Sequence, residues 1–253
     1  MKAMLLAAGR GERMGPLTAD RPKPLLSLGA ETLIERHLRR LAAARIGELV
    51  INLSYRGGQI RSAVGDTTRW GQTVAWSEEG EPPLETAGGI VHALALLGDE
   101  PFGVVSTDVV TDFDFSDLAA HGAALERVPD ASGYLVLVPN PPHHPGGDFG
   151  LSAAGRLTMP AGEFSPPAGG PGTPAGGPDT PAGGPDPAYT YSGIAVLSPG
   201  LFHGLAPGIT PLRDVLRPAV RRGALLGGVF QGLWHDVGTP QRLAQVRALM
   251  AGR

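Results

Sequence analysis

The sequence predicts an α/β fold, a single domain built on a mixed, mostly parallel sheet sandwiched by helices. Three observations carry this expectation. Short apolar runs of strand length alternate with amphipathic stretches of helical period through the N-terminal half. Strand and helix patterns then continue in the second half, as an extension of one sheet rather than as an independent domain. The chain is also long enough, at 253 residues and 42% hydrophobic with a mean hydropathy of +0.01, to bury a large core.

The elements follow in order. Residues 2–7 read as a first strand. Thr32–Ala44 places Leu33, Ile34, His37, Leu38 and Leu41 on one helical face. Residues 49–53 (LVINL) form a second strand, Gln59–Val64 a short helix and Thr73–Trp76 a third strand. Thr86–Leu97 carries an apolar stripe of Ile90, Val91, Leu94 and Leu97, and residues 102–106 form a fourth strand ending at Thr107-Asp108. Beyond it, 133–138 and 191–197 are strands, and Pro211–Arg222 and Thr239–Ala251 are helices. Pro240 falls in a first helical turn, where proline is tolerated. In such a sheet ligands gather at the carboxyl ends of the strands.

Composition excludes several classes of function. The absence of cysteine removes disulfide scaffolds, thiolate metal sites and thiol catalysis. A net charge of −3 argues against a general nucleic-acid binder. No run approaches the ~20 apolar residues of a membrane span. The start, MKAMLLAAG, reads as a buried strand rather than a secretion signal, because the charged, Gly-containing segment Arg10–Arg13 follows at once. The expectation is a soluble cytoplasmic protein. Glycine (38) and proline (25) make up about a quarter of the chain. Fifteen of them fall in 165–187, where PAGGPGT, PAGGPDT and PAGGPD repeat with a period of seven. Proline and glycine forbid a helix there, and the stretch has too few apolar side chains to offset its ordering, so it reads as a flexible loop insert.

Two segments carry chemistry. The first strand runs into Leu6-Ala7-Ala8-Gly9-Arg10-Gly11-Glu12-Arg13, where glycines permit close backbone approach and successive N–H groups can face phosphate oxygens. Arg13 adds a forked donor for a polyphosphate. The run has neither Walker A nor dinucleotide spacing. The second segment, Arg21-Pro22-Lys23-Pro24-Leu25, holds a lysine between two prolines, a stiff extended segment that fixes where the ammonium points. Lys23 is one of two lysines among 21 basic Lys and Arg residues. Its compact charge suits a phosphate that gains charge in a transition state.

The run LAAGRGERMGPLTADRPKPLL resembles the signature of the sugar-1-phosphate nucleotidylyltransferases. Further matches follow in order at Glu79–Glu81, Leu84–Gly89, Val104–Val109, Tyr191–Gly193 and Trp234–Thr239. Within that family the likeness is strongest to the branch acting on N-acetylmuramate 1-phosphate in peptidoglycan recycling, on EGEP, LETAGG, VTDFDF, NPPHHPGGDF and WHDVGT. The resemblance implies a Rossmann-like nucleotidyltransferase fold and nucleotidyl transfer from an NTP, by preference UTP, to a sugar 1-phosphate, with release of pyrophosphate. It implies a nucleotide site at Leu6, Ala7, Ala8, Gly9, Gly11, Glu12, Arg13 and Lys23, extended by Glu79, Gly80, Glu85, Thr86 and Gly88. Arg13 and Lys23 would be catalytic. Asp108 and Asp236 would hold Mg²⁺, an ion suited to one or two carboxylates beside phosphates. Asp148, Glu163 and Ser192 would contact the sugar phosphate. A monomer or small homo-oligomer is expected.

The chain departs from the family pattern in places. Thr107 stands where a glycine is usual, which raises the question of crowding against the nucleotide. The Glu–Lys pair that many hexose-1-phosphate relatives use is not visible; Glu163 stands for its first member and no lysine follows. Guanylyl transfer to mannose 1-phosphate is the alternative within the class, and a non-catalytic sugar-nucleotide-binding subunit the alternative outside it. Retention of Arg13, Lys23, Asp108 and Asp236 favours the enzyme. A metal-dependent glycosyltransferase is disfavoured because Asp112 and Asp114, which have D-x-D spacing, lie beyond the strand end. His143-His144 reads as loop residues near the sugar pocket.

Overall fold

The computed structural model describes residues 1–160 and 187–252. Glu163 and, apart from Pro187, the 165–187 repeat lie outside the described residues. In chain order the strands are β1 (Ala3–Leu6), β2 (Ser27–Leu28), β3 (Glu31–Thr32), β4 (Glu48–Leu53), β5 (Thr73–Glu78), β6 (Phe102–Ser106), β7 (Val109–Thr111), β8 (Gly133–Val138), β9 (Phe149–Leu151), β10 (Leu157–Thr158), β11 (Ala188–Leu197), β12 (Leu225–Val229) and β13 (Trp234–Asp236). The helices are α1 (Leu33–Ala43), α2 (Gly57–Val64), α3 (Glu85–Leu97), α4 (Asp117–Arg127), α5 (Leu212–Arg221) and α6 (Pro240–Ala251).

The main sheet has the order β10-β9-β11-β6-β1-β4-β5, with β8 pairing β11 and β12 pairing β8. From β6 to β5 it is parallel. The second half joins antiparallel through β11 against β6, so the chain continues one sheet as expected. Successive strand residues point to opposite faces, and both faces are covered. Met4, Val50 and Val104 pack toward Ile90 of α3 and Leu216 of α5. Ala3, Leu5 and Val105 pack toward Leu38 of α1, Ile60 of α2 and Leu118 of α4. Burial on both faces explains why the central strands read as continuous apolar runs.

The expected α1 face is the one buried, and a capping box starts the helix. Thr32 Oγ1 accepts from Glu35 N–H at 3.3 Å, and Glu35 Oε2 accepts from Thr32 N–H at 2.8 Å. β1 leads through α1 to β4 on one side of the sheet, whereas α3 returns the chain to β6 on the other. The order in which strands are added thus reverses between the parallel neighbours β1 and β6, and a crevice opens at the carboxyl ends of the strands. A third, smaller cluster (Met14, Leu26, Leu28, Leu33, Val110, Val237, Leu243 and Val246) ties the segment after β1 to α6. No helix among the described residues is long and apolar enough to cross a membrane.

Candidate active site

A cleft of about 760 Å³ occupies the crevice. Leu6, Ala7, Ala8, Gly9, Gly11, Glu12 and Arg13 form one wall, with Lys23 beside them; Glu79, Glu85 and Thr86 come from across the sheet edge. Gly11 has φ 66, and a Cβ there would lie 3.2 Å from the Lys23 Cβ, so glycine serves both the turn and the close approach of the lysine segment. Gly80 and Gly88 do not line this cleft. Gly80 O accepts from Ser54 Oγ at 2.5 Å. Gly88 is buried in α3, and its N–H donates to Thr210 O at 3.1 Å.

Asn52, which the sequence reading passed over, ties the two walls together. It lies between Ile51 and Leu53 near the end of β4, at 3% exposure. Its Oδ1 accepts from Ala7 N–H at 2.7 Å, and its Nδ2 donates to Glu79 Oε1 at 2.6 Å. Glu79 Oε2 in turn accepts from Leu84 N–H at 2.9 Å, one residue before α3. Glu85, at the start of that helix, has φ 61, strained for a non-glycine residue and located at the cleft.

Lys23 opens a single 3₁₀ turn rather than lying in an extended segment. Pro22 O and Lys23 O accept from the N–H groups of Leu25 and Leu26, each at 3.0 Å, while Pro24 has no N–H to place. The ammonium, with 11% of the side chain exposed, donates to Asp108 Oδ2 at 2.7 Å. Asp108 lies in the turn between β6 and β7, two residues past the strand end at Ser106. β13 pairs antiparallel with β7, placing Asp236 opposite Val109, and Val237 N–H donates to Asp108 O at 2.7 Å. That small sheet brings together two aspartates that are 128 residues apart in the chain. Thr107 lines the first cleft; it is buried, and its hydroxyl donates to Leu6 O at 2.6 Å.

A second cleft, about 420 Å³, shares Arg13, Ser106 and Asp108 with the first. Asp148, Ser192 and Asp236 line it, together with His143, His144 and Arg242. The pairing of β11 with β8 is irregular between Tyr191 and Ala195, and Ser192 lies in that stretch, buried in the wall of this cleft with its hydroxyl accepting from Ile194 N–H at 3.2 Å. Asp148 accepts from Tyr191 N–H at 2.8 Å, and His144 Nε2 lies 3.0 Å from its other oxygen. Burial pushes the Tyr191 hydroxyl pKa upward, and the charge of Asp148 adds to the effect.

Asp108 and Asp236 offer oxygen donors of the kind a hard divalent cation takes. Each carboxylate already faces a cation, Lys23 for Asp108 and Arg242 for Asp236. No group of three or more metal-binding side chains comes together among the described residues, so an ion on these two aspartates would complete its shell with phosphate oxygens and water. Asp112 and Asp114 are committed elsewhere: Asp112 accepts from Leu233 N–H at 2.6 Å and Asp114 from Ser116 N–H at 2.9 Å.

Two adjoining clefts, with a Gly-rich loop and a lysine along the first, Asp108 where they meet and Asp236 in the second, suit transfer of a phosphoryl-linked group between two anionic substrates. Residues 2–156 match the family model described as nucleotidyl transferase. The chain belongs to that family. This nucleotidyl transferase is 43% identical over 250 residues to the N-acetylmuramate alpha-1-phosphate uridylyltransferase of Neisseria meningitidis serogroup B, covering 98% of each chain. It is 31% identical to the enzyme of the same name from Caulobacter vibrioides, covering 98% of this chain and 96% of the relative. The family members it matches are sugar-1-phosphate nucleotidyltransferases, and the transferase is an enzyme of that class. A putative glucose-1-phosphate thymidylyltransferase from Bacillus anthracis superposes with a TM-score of 0.77 at 18% identity, covering 98% of this chain and 94% of that one, a likeness of fold.

Proposed function

We propose that this enzyme transfers a uridylyl group from UTP to N-acetylmuramate 1-phosphate, releasing pyrophosphate, in the cytoplasmic recycling of cell-wall sugars. The observation that carries the reading is Asp108 on the wall shared by two clefts, bonded to Lys23 of the first and joined through the pairing of β7 with β13 to the segment that carries Asp236 in the second, in a chain 43% identical to a relative of that name. The backbone of Gly9–Gly11 and the Arg13 guanidinium hold the triphosphate. The base lies toward Glu79, Glu85 and Thr86. The sugar 1-phosphate enters from the second cleft, toward Asp148 and Ser192.

An oxygen of the sugar phosphate forms a bond to the α-phosphorus as the bond from that phosphorus to the β-phosphate oxygen breaks, and pyrophosphate leaves with the electron pair. No base is needed, because the attacking phosphate is already ionised near neutral pH. The protein holds the two phosphates in line and places positive charge where negative charge builds up. Lys23, fixed by its turn and by Asp108, supplies one such charge, and Arg13, facing both clefts, supplies another. Asp108 and Asp236 would hold Mg²⁺, which when bound would neutralise phosphate charge.

A matrix of nucleoside triphosphates against sugar 1-phosphates, followed by pyrophosphate release with Mg²⁺, tests the reading. UTP with N-acetylmuramate 1-phosphate should turn over fastest. A preference for GTP, or no turnover with any pair, would remove it.

A further inference from the structure

Arg242 sits where helix electrostatics disfavour a cation. It lies in the first turn of α6, three residues after the cap Thr239, and no acidic side chain accompanies it there. Its side chain is nonetheless only 19% exposed and is bonded to Asp236. The chain makes room for it: a Cβ at Gly238 would lie 2.4 Å from Arg242 Nη2.

His143, from the loop after β8, completes the corner. Its Nε2 lies 2.7 Å from Arg242 Nη1 and 3.1 Å from Asp236 Oδ1. Arginine only donates, so Nε2 must accept from it and cannot then donate to the carboxylate. An added oxyanion would relieve this conflict by taking one N–H from each group. The reacting phosphate must meet the nucleotide at the wall common to both clefts, made by Arg13, Ser106 and Asp108; His143 and Arg242, like Asp236, line the second cleft alone and face the acceptor beyond that wall.

We propose that Arg242 and His143 form the counter-ion site for a carboxylate on the sugar acceptor, selecting acidic sugar 1-phosphates over neutral ones. The inference rests on the acceptor assigned above. N-acetylmuramate 1-phosphate carries its carboxylate on a lactyl ether that N-acetylglucosamine 1-phosphate lacks. A carboxylate brought out of water without a partner would oppose binding.

The test compares kcat/KM for these two sugars in the wild type, Arg242→Gln and His143→Ala, with calorimetric binding of each sugar to enzyme carrying Mg²⁺ and a non-hydrolysable UTP analogue. The acid-to-neutral ratio should fall about 10- to 100-fold in each variant, the value of a charge-assisted hydrogen bond. Binding of the acidic sugar should weaken in step, and Arg242→Lys should recover part of the loss. His143 lies on a loop with 45% of its side chain exposed, so its variant reports even if Arg242→Gln folds poorly. An equal loss for both sugars would overturn the inference and reassign the pair to the phosphate or to the support of Asp236. A wild type that prefers the acidic sugar, with the ratio unchanged in both variants, would overturn this inference alone. A wild type without that preference would overturn it together with the acceptor assignment.

Discussion

Acidification should weaken this fold through one buried histidine. His37 on α1 is 2% exposed, and its ring nitrogens make no hydrogen bond of standard geometry. It packs 6.0 Å from the Phe115 ring and faces the backbone of Val109, next to Asp108. Burial, with lesser contributions from Arg40 and Arg36, pushes its pKa down from 6.5 to about 4. A depressed histidine binds its proton more readily in the unfolded chain, so stability is full above the unfolded value and is lost as pH falls toward the folded one. From these two values the loss is about 2 kcal/mol between roughly pH 7 and pH 5, approaching about 3 kcal/mol near pH 4. The perturbation is His37→Leu, which removes the titration. Urea denaturation of both proteins across this range yields a difference curve in which the other titrating groups largely cancel. The wild type should fall below the variant by that amount as pH drops. Parallel curves would refute the argument and show that the imidazole is solvated or paired in solution.

Other perturbations address the site. Lys23→Ala and Asp108→Asn should each reduce turnover by about 100-fold or more, read as pyrophosphate release at saturating substrates. Near-normal turnover in either would remove its role. Asn52→Ala leaves Ala7 N–H and Glu79 Oε1 without their partner, which should cost about 1–3 kcal/mol and raise the KM for the nucleotide; chemical denaturation and initial rates check both effects. Gly89→Ala would place a Cβ 2.3 Å from Glu79 Oε1, an atom held by Asn52, so its melting temperature should drop, with a cost of about 1–3 kcal/mol.

The core of the fold was legible because burial leaves a periodic trace. The apolar stripe of α1, the strands at 49–53 and 102–106, and the glycine loop after β1 lie within a residue or two of where the sequence places them. The elements it missed lack that trace. α4 buries Leu118, Gly122 and Leu125, too sparse a stripe to stand out. β7 and β13 are three residues each, and β12 contains two glycines. Asn52 was hidden as the polar residue in an apolar run, a pattern that marks a buried side chain with a hydrogen-bonding task. His143 reads from sequence only as a loop residue near the sugar pocket. Its partners come from α6 and β13, about 100 residues away.

Local sequence therefore determined the phosphate loop and the alternation that builds the sheet, since each depends on dihedral preferences and side-chain periodicity within a few residues. Tertiary structure decided what those parts meet. The pairing of β7 with β13 brings the segment carrying Asp236 against that carrying Asp108, Asn52 joins the two walls of the nucleotide cleft, and Arg242 meets His143 at a corner of the second cleft. Such juxtapositions arise from strand order and the packing of distant segments, and no local spacing encodes them.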